Sequence, residues 1–311
     1  MFNIIGKRYY FYVFSALLIV PGLIALLTWG LNLGIDFTGG SLLDLQFVDP
    51  ERPLVAGEIR AELEEMGYTG TTVQLSDDNS ALIRMPQISN EEKNELQAAL
   101  SEAHGAELIE QRFEAVGPSV GNEVTQGALF AVFAATFGIL GYLAFAFRDV
   151  EHPLRYGIVT ILAMLHDVFL VVGLAALAGH FFGWEVDALF LTALLTVIGF
   201  SVHDSIVVFD RVRENLMTHR GLPFEEVVNI STVQTLDRSI NTQLTALFTL
   251  LAVYLFGGET IRQFVFWLII GLISGTYSSI FNAAPLLVSW EKGELSRFLP
   301  GRLRRARQAT A

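Results

Sequence analysis

Six stretches of this sequence carry almost no charge over the length a helix needs to cross a bilayer, and any fold has to house them. They run approximately 11–31, 127–147, 157–177, 188–208, 240–256 and 264–288. About 20 mostly apolar residues span the hydrocarbon core as a helix. The 311-residue chain is 52% hydrophobic with a mean hydropathy of +0.48, beyond the usual range of a soluble domain. Pro21 and Pro285 fall inside the first and last spans, where membrane helices tolerate proline. Lys7 and Arg8 precede the first span, but its apolar run is too long for a signal segment. TWGLNLGIDF offers no small-x-small cleavage site, so the segment is expected to be an uncleaved anchor.

Basic residues predict the orientation. Lys7 and Arg8 precede the first span, and Arg148 and Arg155 follow the second. Arg211, Arg213, Arg220 and Arg238 lie between the fourth and fifth, and six more basic residues follow the last span. The two short loops on the other side hold only Arg262. Both termini of this multi-pass chain are therefore expected in the cytoplasm.

The segment 34–126 has 18 acidic and 5 basic residues, a net −13, and accounts for the whole-chain charge of −12. An acidic extracytoplasmic domain argues against nucleic acid as a partner. The absence of cysteine excludes disulfides and thiolate metal sites. Within this segment SLLDLQFV reads as a strand, and LVAGEIRAELEEMG places Val55, Ile59, Leu63 and Met66 on one helical face. TTVQLS and ALIRM read as two strands joined at Asp77-Asp78-Asn79-Ser80. Ser89 and Glu92 form a capping box for a second helix that stops at Gly105, and AELIEQRFEAV supplies a last strand. The order βαββαβ is ferredoxin-like. The expected fold class is thus an α-helical integral membrane protein with six transmembrane helices plus a small α+β ferredoxin-like extracytoplasmic domain. Its parts are an N-terminal arm and first helix at 1–33, the acidic domain at 34–126, a five-helix bundle at 127–289 and a basic tail at 290–311. The tail is expected to lie along anionic lipid.

Glycines flank the acidic domain: Gly34, Gly39 and Gly40 in GIDFTGGS, and Gly117 and Gly121 in VGPSVG. They suit sharp turns or hinging, and equally the punctuation of a membrane surface.

Asp204 interrupts the fourth span. A carboxylate at mid-span costs about 2.5–3.5 kcal/mol and usually marks an ion or proton route. Ser201, Asp204, Ser205 and Val208 share one face, while His203 lies beside the acid in sequence but off that face. Arg238, Thr242, Thr245 and Thr249 make a polar stripe on the fifth span, and antiparallel neighbours would bring Arg238 and Asp204 to similar depth. Two readings remain open for this pair: a proton-switched bond or a fixed helix pin. His166 and Asp167 sit mid-way along the third span, where LHDVFLVVG echoes VHDSIVVFD. Asp167, His203 and Ser205 are candidates for a secondary relay, and Asp167 equally for a structural bond between helices. Asn282 in the sixth span reads as packing between helices.

These features together resemble the SecF family of the bacterial Sec protein-export machinery. The resemblance covers nearly the whole chain: the span plan, GIDFTGG, VGPSVG, HDSIVVFDRVREN and DRSINTQLTALFTLLAVYLFGG. It implies half of a transporter of the resistance-nodulation-division type that pairs with SecD. It implies association with the SecYEG channel and use of the proton gradient to draw emerging, unfolded preproteins outward. It implies no enzymatic chemistry, no cofactor and no metal. By this resemblance Asp204 is the proton-carrying aspartate, with Arg238 and Thr242 as partners on the next helix. Ser239 and Gln243 depart from the threonine and serine expected there, and His203 from an asparagine. Rival readings are a passive assembly subunit, a proton-coupled lipid or drug exporter, and an intramembrane aspartyl protease, against which the lack of a GxGD motif counts.

Overall fold

The computed structural model describes residues 2–76, 79–148, 150 and 152–294. The basic stretch from 295 onward, expected to contact anionic lipid, and Asp77 and Asp78 of the expected turn lie outside the described residues. The chain divides into two units, Leu33–Phe130 and a second formed by Met1–Asn32 with Ala131–Ala311.

The first long helix, α1 (Arg8–Thr28), belongs to the second unit. The α+β unit begins with the single turn α2 (Ile35–Thr38) and continues through β1 (Gly40–Val48), α3 (Ala56–Glu65), β2 (Thr72–Ser76), β3 (Ser80–Met85), α4 (Asn90–His104) and β4 (Glu107–Val116). The sheet order is β2-β3-β1-β4 with every pairing antiparallel, the ferredoxin-like arrangement expected from the sequence. Alternation along β1 sends Leu43, Leu45 and Phe47 into one core with Ile59 and Leu63 of α3 and Leu96 and Leu100 of α4. The capping box is present: Ser89 accepts from the Glu92 backbone N–H, and Glu92 accepts from that of Ser89. Gly105 ends α4 in the left-handed conformation at φ 57°.

Among the described residues, six helical spans are long and apolar enough to cross a membrane. They are α1, α5 (Pro118–Ala146), α6 (Pro153–Phe182), α7 (Ala188–Thr218), α8 (Phe224–Phe256) and a last span built from α9 (Glu259–Ser278), a π-helical turn (Ser279–Ala283) and α10 (Ala284–Glu291). Several of the helices reach beyond their apolar runs, α8 furthest. α8 starts at Phe224 rather than near 240, because Val227, Ser231, Thr235 and Ser239 stay buried at four-residue intervals. Its polar residues are packed rather than solvated, so hydropathy alone underestimates it. The π-turn lies just before Pro285, whose missing N–H removes a rung from the helical ladder.

Small residues let the helices approach. A Cβ on Gly22 of α1 would lie 2.8 Å from the Gly173 Cα of α6, and one on Gly275 of α9 would lie 3.2 Å from the Ser201 Cα of α7. At the end where α1 starts, Arg8 is buried rather than a free surface charge. It donates to Glu294 at 2.5 Å and Glu225 at 3.0 Å, tying the first helix to α8 and to the segment after α10.

Candidate functional site

The buried face of α7 contains Ser201, Asp204, Ser205 and Val208, the set expected from helical spacing. Asp204 is only 4% exposed. Its Oδ2 accepts a hydrogen bond of 2.5 Å from the Gln243 Nε2 of α8. Gln243 Oε1, Ser239 Oγ one turn before it, and Ser201 Oγ one turn before Asp204 are buried without a hydrogen-bond partner among the described residues. Leaving such an atom unsatisfied costs about 1–3 kcal/mol. Three of them along the two helices that hold one carboxylate make a polar seam suited to water or a proton.

The expected Asp204–Arg238 ion pair does not form among the described residues. Arg238 is exposed and lines a cavity of about 710 Å³ with Asp210, Glu214 and Tyr142. Thr242 is exposed as well, its hydroxyl donating back to the Arg238 carbonyl at 2.9 Å. Thr245 and Thr249 do the same one and two turns on. The buried polar stripe of α8 is Ser231, Thr235, Ser239 and Gln243, one residue on from the predicted one. One residue turns a helix by about 100°, enough to carry Arg238 off the α7 face and bring Gln243 onto it. Of the three residues that depart from the pattern the resemblance implies, Ser239 and Gln243 lie on the buried face of α8, and Gln243 meets Asp204, while His203 is exposed.

Asp167 of α6 is fully buried. It accepts from Ser274 Oγ at Oδ1 and from Ser278 Oγ at Oδ2, both at 2.6 Å, and lies 3.0 Å from His166 Nδ1. Neither serine could be assigned from sequence, since serines are common on membrane helix faces. Ser279, next to Ser278, turns the other way: its hydroxyl meets Ser205 Oγ at 3.0 Å and donates to the Ser201 carbonyl at 3.1 Å. The π-turn that starts at Ser279 thus lets adjacent serines bridge α6 and α7. His203 is exposed and off the Asp204 face. Asn282 exchanges hydrogen bonds with Ser15 of α1 and joins two helices, as expected.

The flanking glycines of the α+β unit pack rather than swing free. Gly39 and Gly40 have φ of +73° and +126°, and a Cβ on Gly40 would lie 2.8 Å from the Met85 carbonyl oxygen. A Cβ on Gly121 of α5 would lie 2.9 Å from both Gly39 N and Phe37 O. The chain's way into the sheet and its way out are thereby clasped backbone to backbone. Gly34 has an ordinary φ of −71°, and Gly117 has no neighbour closer than 3.7 Å. No group of three or more metal-ligating side chains occurs among the described residues.

Comparison with known proteins adds the following. The family profile described as protein export membrane protein SecD/SecF, C-terminal, matches residues 96–293, and the SecD/SecF GG motif matches residues 24–51, which include Gly39 and Gly40. The protein translocase subunit SecF of Thermobaculum terrenum is 51% identical over 311 residues, covering 96% of each chain. That of Anaerolinea thermophila is 48% identical, covering 94% of this chain and 96% of its own. The crystal structure of SecDF from Thermus thermophilus, described as a translocon-associated membrane protein, aligns with a TM-score of 0.80 at 35% identity. That alignment takes in 94% of this chain and 39% of the SecDF chain.

Proposed function

The chain belongs to the SecD/SecF family of protein export membrane proteins, and from that premise we propose that it is the SecF half of a proton-driven export device. It pairs with SecD, associates with SecYEG, and uses the proton-motive force to help draw unfolded preproteins across the bacterial cytoplasmic membrane, with both termini in the cytoplasm. The observation that carries this reading is Asp204, buried and held by one neutral side chain, Gln243. A carboxylate fixed as a mere helix pin is expected to have both oxygens met, as Asp167 has by two serine hydroxyls, whereas among the described residues Asp204 has one donor beside an unsatisfied seam. A neutral amide leaves it free to exchange a proton with the adjacent unsatisfied seam. One proton crossing about 100 mV releases roughly 2.3 kcal/mol, enough to bias two arrangements of a helix pair.

Pairing with SecD is supported by the outer face of α8. Arg238, Thr242, Thr245 and Thr249 are exposed along one side of a membrane helix, a face that lipid does not favour. A second set of helices offers it polar partners, and the alignment with 39% of SecDF leaves room for that set. Arg238 then serves the proton route from the cavity it shares with Asp210 and Glu214 of α7, open to the partner. Asp167, satisfied by two serines, anchors α6 to the last span. No cofactor takes part, and the protein performs no catalytic chemistry. The test is export of a secreted reporter in cells lacking their own SecF. The wild-type chain restores it, while Asp204→Asn, still co-purifying with SecD, does not. Full restoration by Asp204→Asn returns the chain to the passive-subunit reading.

A further inference from the structure

At the end of the bundle where α1 begins and α10 stops, a cavity of about 900 Å³ lies between the starts of α6 and α8 and the ends of α7 and α10. Its floor is apolar: Tyr156 and Leu287 are buried, and Leu216 and Phe224 are half-buried. Its rim is basic, with Arg155, Arg213, Arg220 and His152. Among the described lining residues the one carboxylate is Glu291, which Arg155 engages. Arg213 is held by Asp210 at 2.7 Å. Arg220 and His152 are exposed and make no side-chain hydrogen bond or ion pair among the described residues. Two helices, α6 and α8, begin at this cavity, and the positive ends of their dipoles add to the field. The first turn of α8 carries two acids: Glu225, which Arg8 and Lys292 engage, and Glu226, which is exposed; neither lines the cavity.

We propose that this cavity binds the phosphate-bearing headgroup of an anionic phospholipid, with Arg220 and His152 on the phosphate and the first acyl carbons over Tyr156, Leu216 and Phe224. The volume falls in the range of pockets that enclose organic ligands, far more than inorganic phosphate fills. An apolar floor under a basic rim, at the end of a transmembrane bundle, matches a ligand that is itself apolar on one side and anionic on the other. Neither Arg220 nor His152 belongs to the Asp204 seam, so this site stands or falls apart from proton coupling.

The test is native mass spectrometry of the full-length protein released from nanodiscs with equal phosphatidylglycerol and phosphatidylcholine. Wild type retains phosphatidylglycerol over phosphatidylcholine by about tenfold. The double variant Arg220→Gln/His152→Gln lowers that preference about fivefold or more, the effect of one or two lost charges near a membrane surface. Arg220→Lys keeps most of it, and Lys7→Gln, a change at an exposed charge at the same end, leaves it unaltered. All variants are compared at equal monodispersity on size exclusion. The proposal is overturned if wild type retains both lipids equally, or if Lys7→Gln weakens retention as much as the double variant. It is also overturned if glycerol phosphate displaces the lipid at matching concentration, which would make the ligand a soluble phosphate.

Discussion

Gln243 of α8 reaches across to Asp204 of α7 and is, among the described residues, the single side chain that donates a hydrogen bond to its carboxylate. The two helices meet through a neutral amide and an acid at this point, while Arg238 is exposed and lines a cavity with Asp210 and Glu214 of α7. On the proposed reading, a proton loaded onto Asp204 would change this one hydrogen bond between two helices.

Removing that donor has a measurable cost. Gln243→Ala is expected to lower the stability of the detergent-solubilised protein by about 1.5–3 kcal/mol, the worth of a hydrogen bond to a charged group. Thr242→Ala, one residue away, should change it by less than about 0.5 kcal/mol, because its exposed hydroxyl only bonds back to its own helix. Thermal unfolding of both variants checks this. A larger loss for Thr242→Ala would mean that α8 is turned the other way.

Asp167 and Asp204 are expected to behave differently. Two serine hydroxyls saturate Asp167 across α6 and α9, and a saturated carboxylate is an anchor. Asp167→Asn should keep a proton-gradient response in vesicles within about twofold of wild type, since the amide oxygen still accepts from one serine. Asp167→Leu leaves both hydroxyls unpaired and should destabilise the bundle by about 2–4 kcal/mol. Loss of the response in Asp167→Asn at normal protein level would assign it to the proton relay instead.

The clasp at the base of the α+β unit gives a sharp contrast between two glycines of one motif. Gly121→Ala drives a methyl to 2.9 Å from two backbone atoms and is expected to destabilise that unit by about 1–3 kcal/mol. Gly117→Ala meets nothing closer than 3.7 Å and should be tolerated. Hydrogen exchange of β1 and β4 in the full-length protein reads both. Equal tolerance would show that the two ends of the domain hinge apart.

The acidic unit carries a pH dependence of defined sign. The Lys93 ammonium, hydrogen-bonded at 2.7 Å, holds the Glu110 carboxyl below its ordinary range, and the Gln97 amide adds to this. A depressed folded value means stability that is present above the unfolded value of about 4.3 and is lost as pH falls through the folded one. Glu110 is about one third exposed, so solvent screening keeps the contribution under about 1 kcal/mol. The protection of β4 amides, taken relative to the intrinsic exchange rate at each pH, should therefore fall less steeply between pH 6 and pH 3 in Glu110→Gln than in wild type. An unchanged slope would remove the Lys93 contact from the account.

Much of the molecule was legible in the sequence because its signals are local. The six spans, the βαββαβ order, the Ser89–Glu92 capping box and the α7 face that buries Asp204 each follow from composition or spacing within one element. What was not legible is rotation between elements. A polar stripe on α8 was visible, but two stripes one residue apart both read as polar. Only packing against α7 selects Ser239 and Gln243 over Arg238 and Thr242. The long start of α8 was missed for a related reason, since buried serine and threonine score as polar whether or not they are packed. The serines on Asp167 escaped notice because the π-turn that directs Ser278 and Ser279 to opposite neighbours has no sequence signature beyond Pro285. The glycine motifs were found, but whether they hinge or clasp depends on what each Cβ would meet.

The central claim is that a proton on Asp204 does work. Vesicles containing the Sec channel, SecD and either this protein or its Asp204→Asn form allow completion of preprotein transport to be followed with and without an imposed proton gradient. The account predicts that the gradient accelerates transport in wild type and has no effect on Asp204→Asn, with both forms assembled to the same extent. A full gradient response from the variant would contradict it and leave Asp204 as a structural residue.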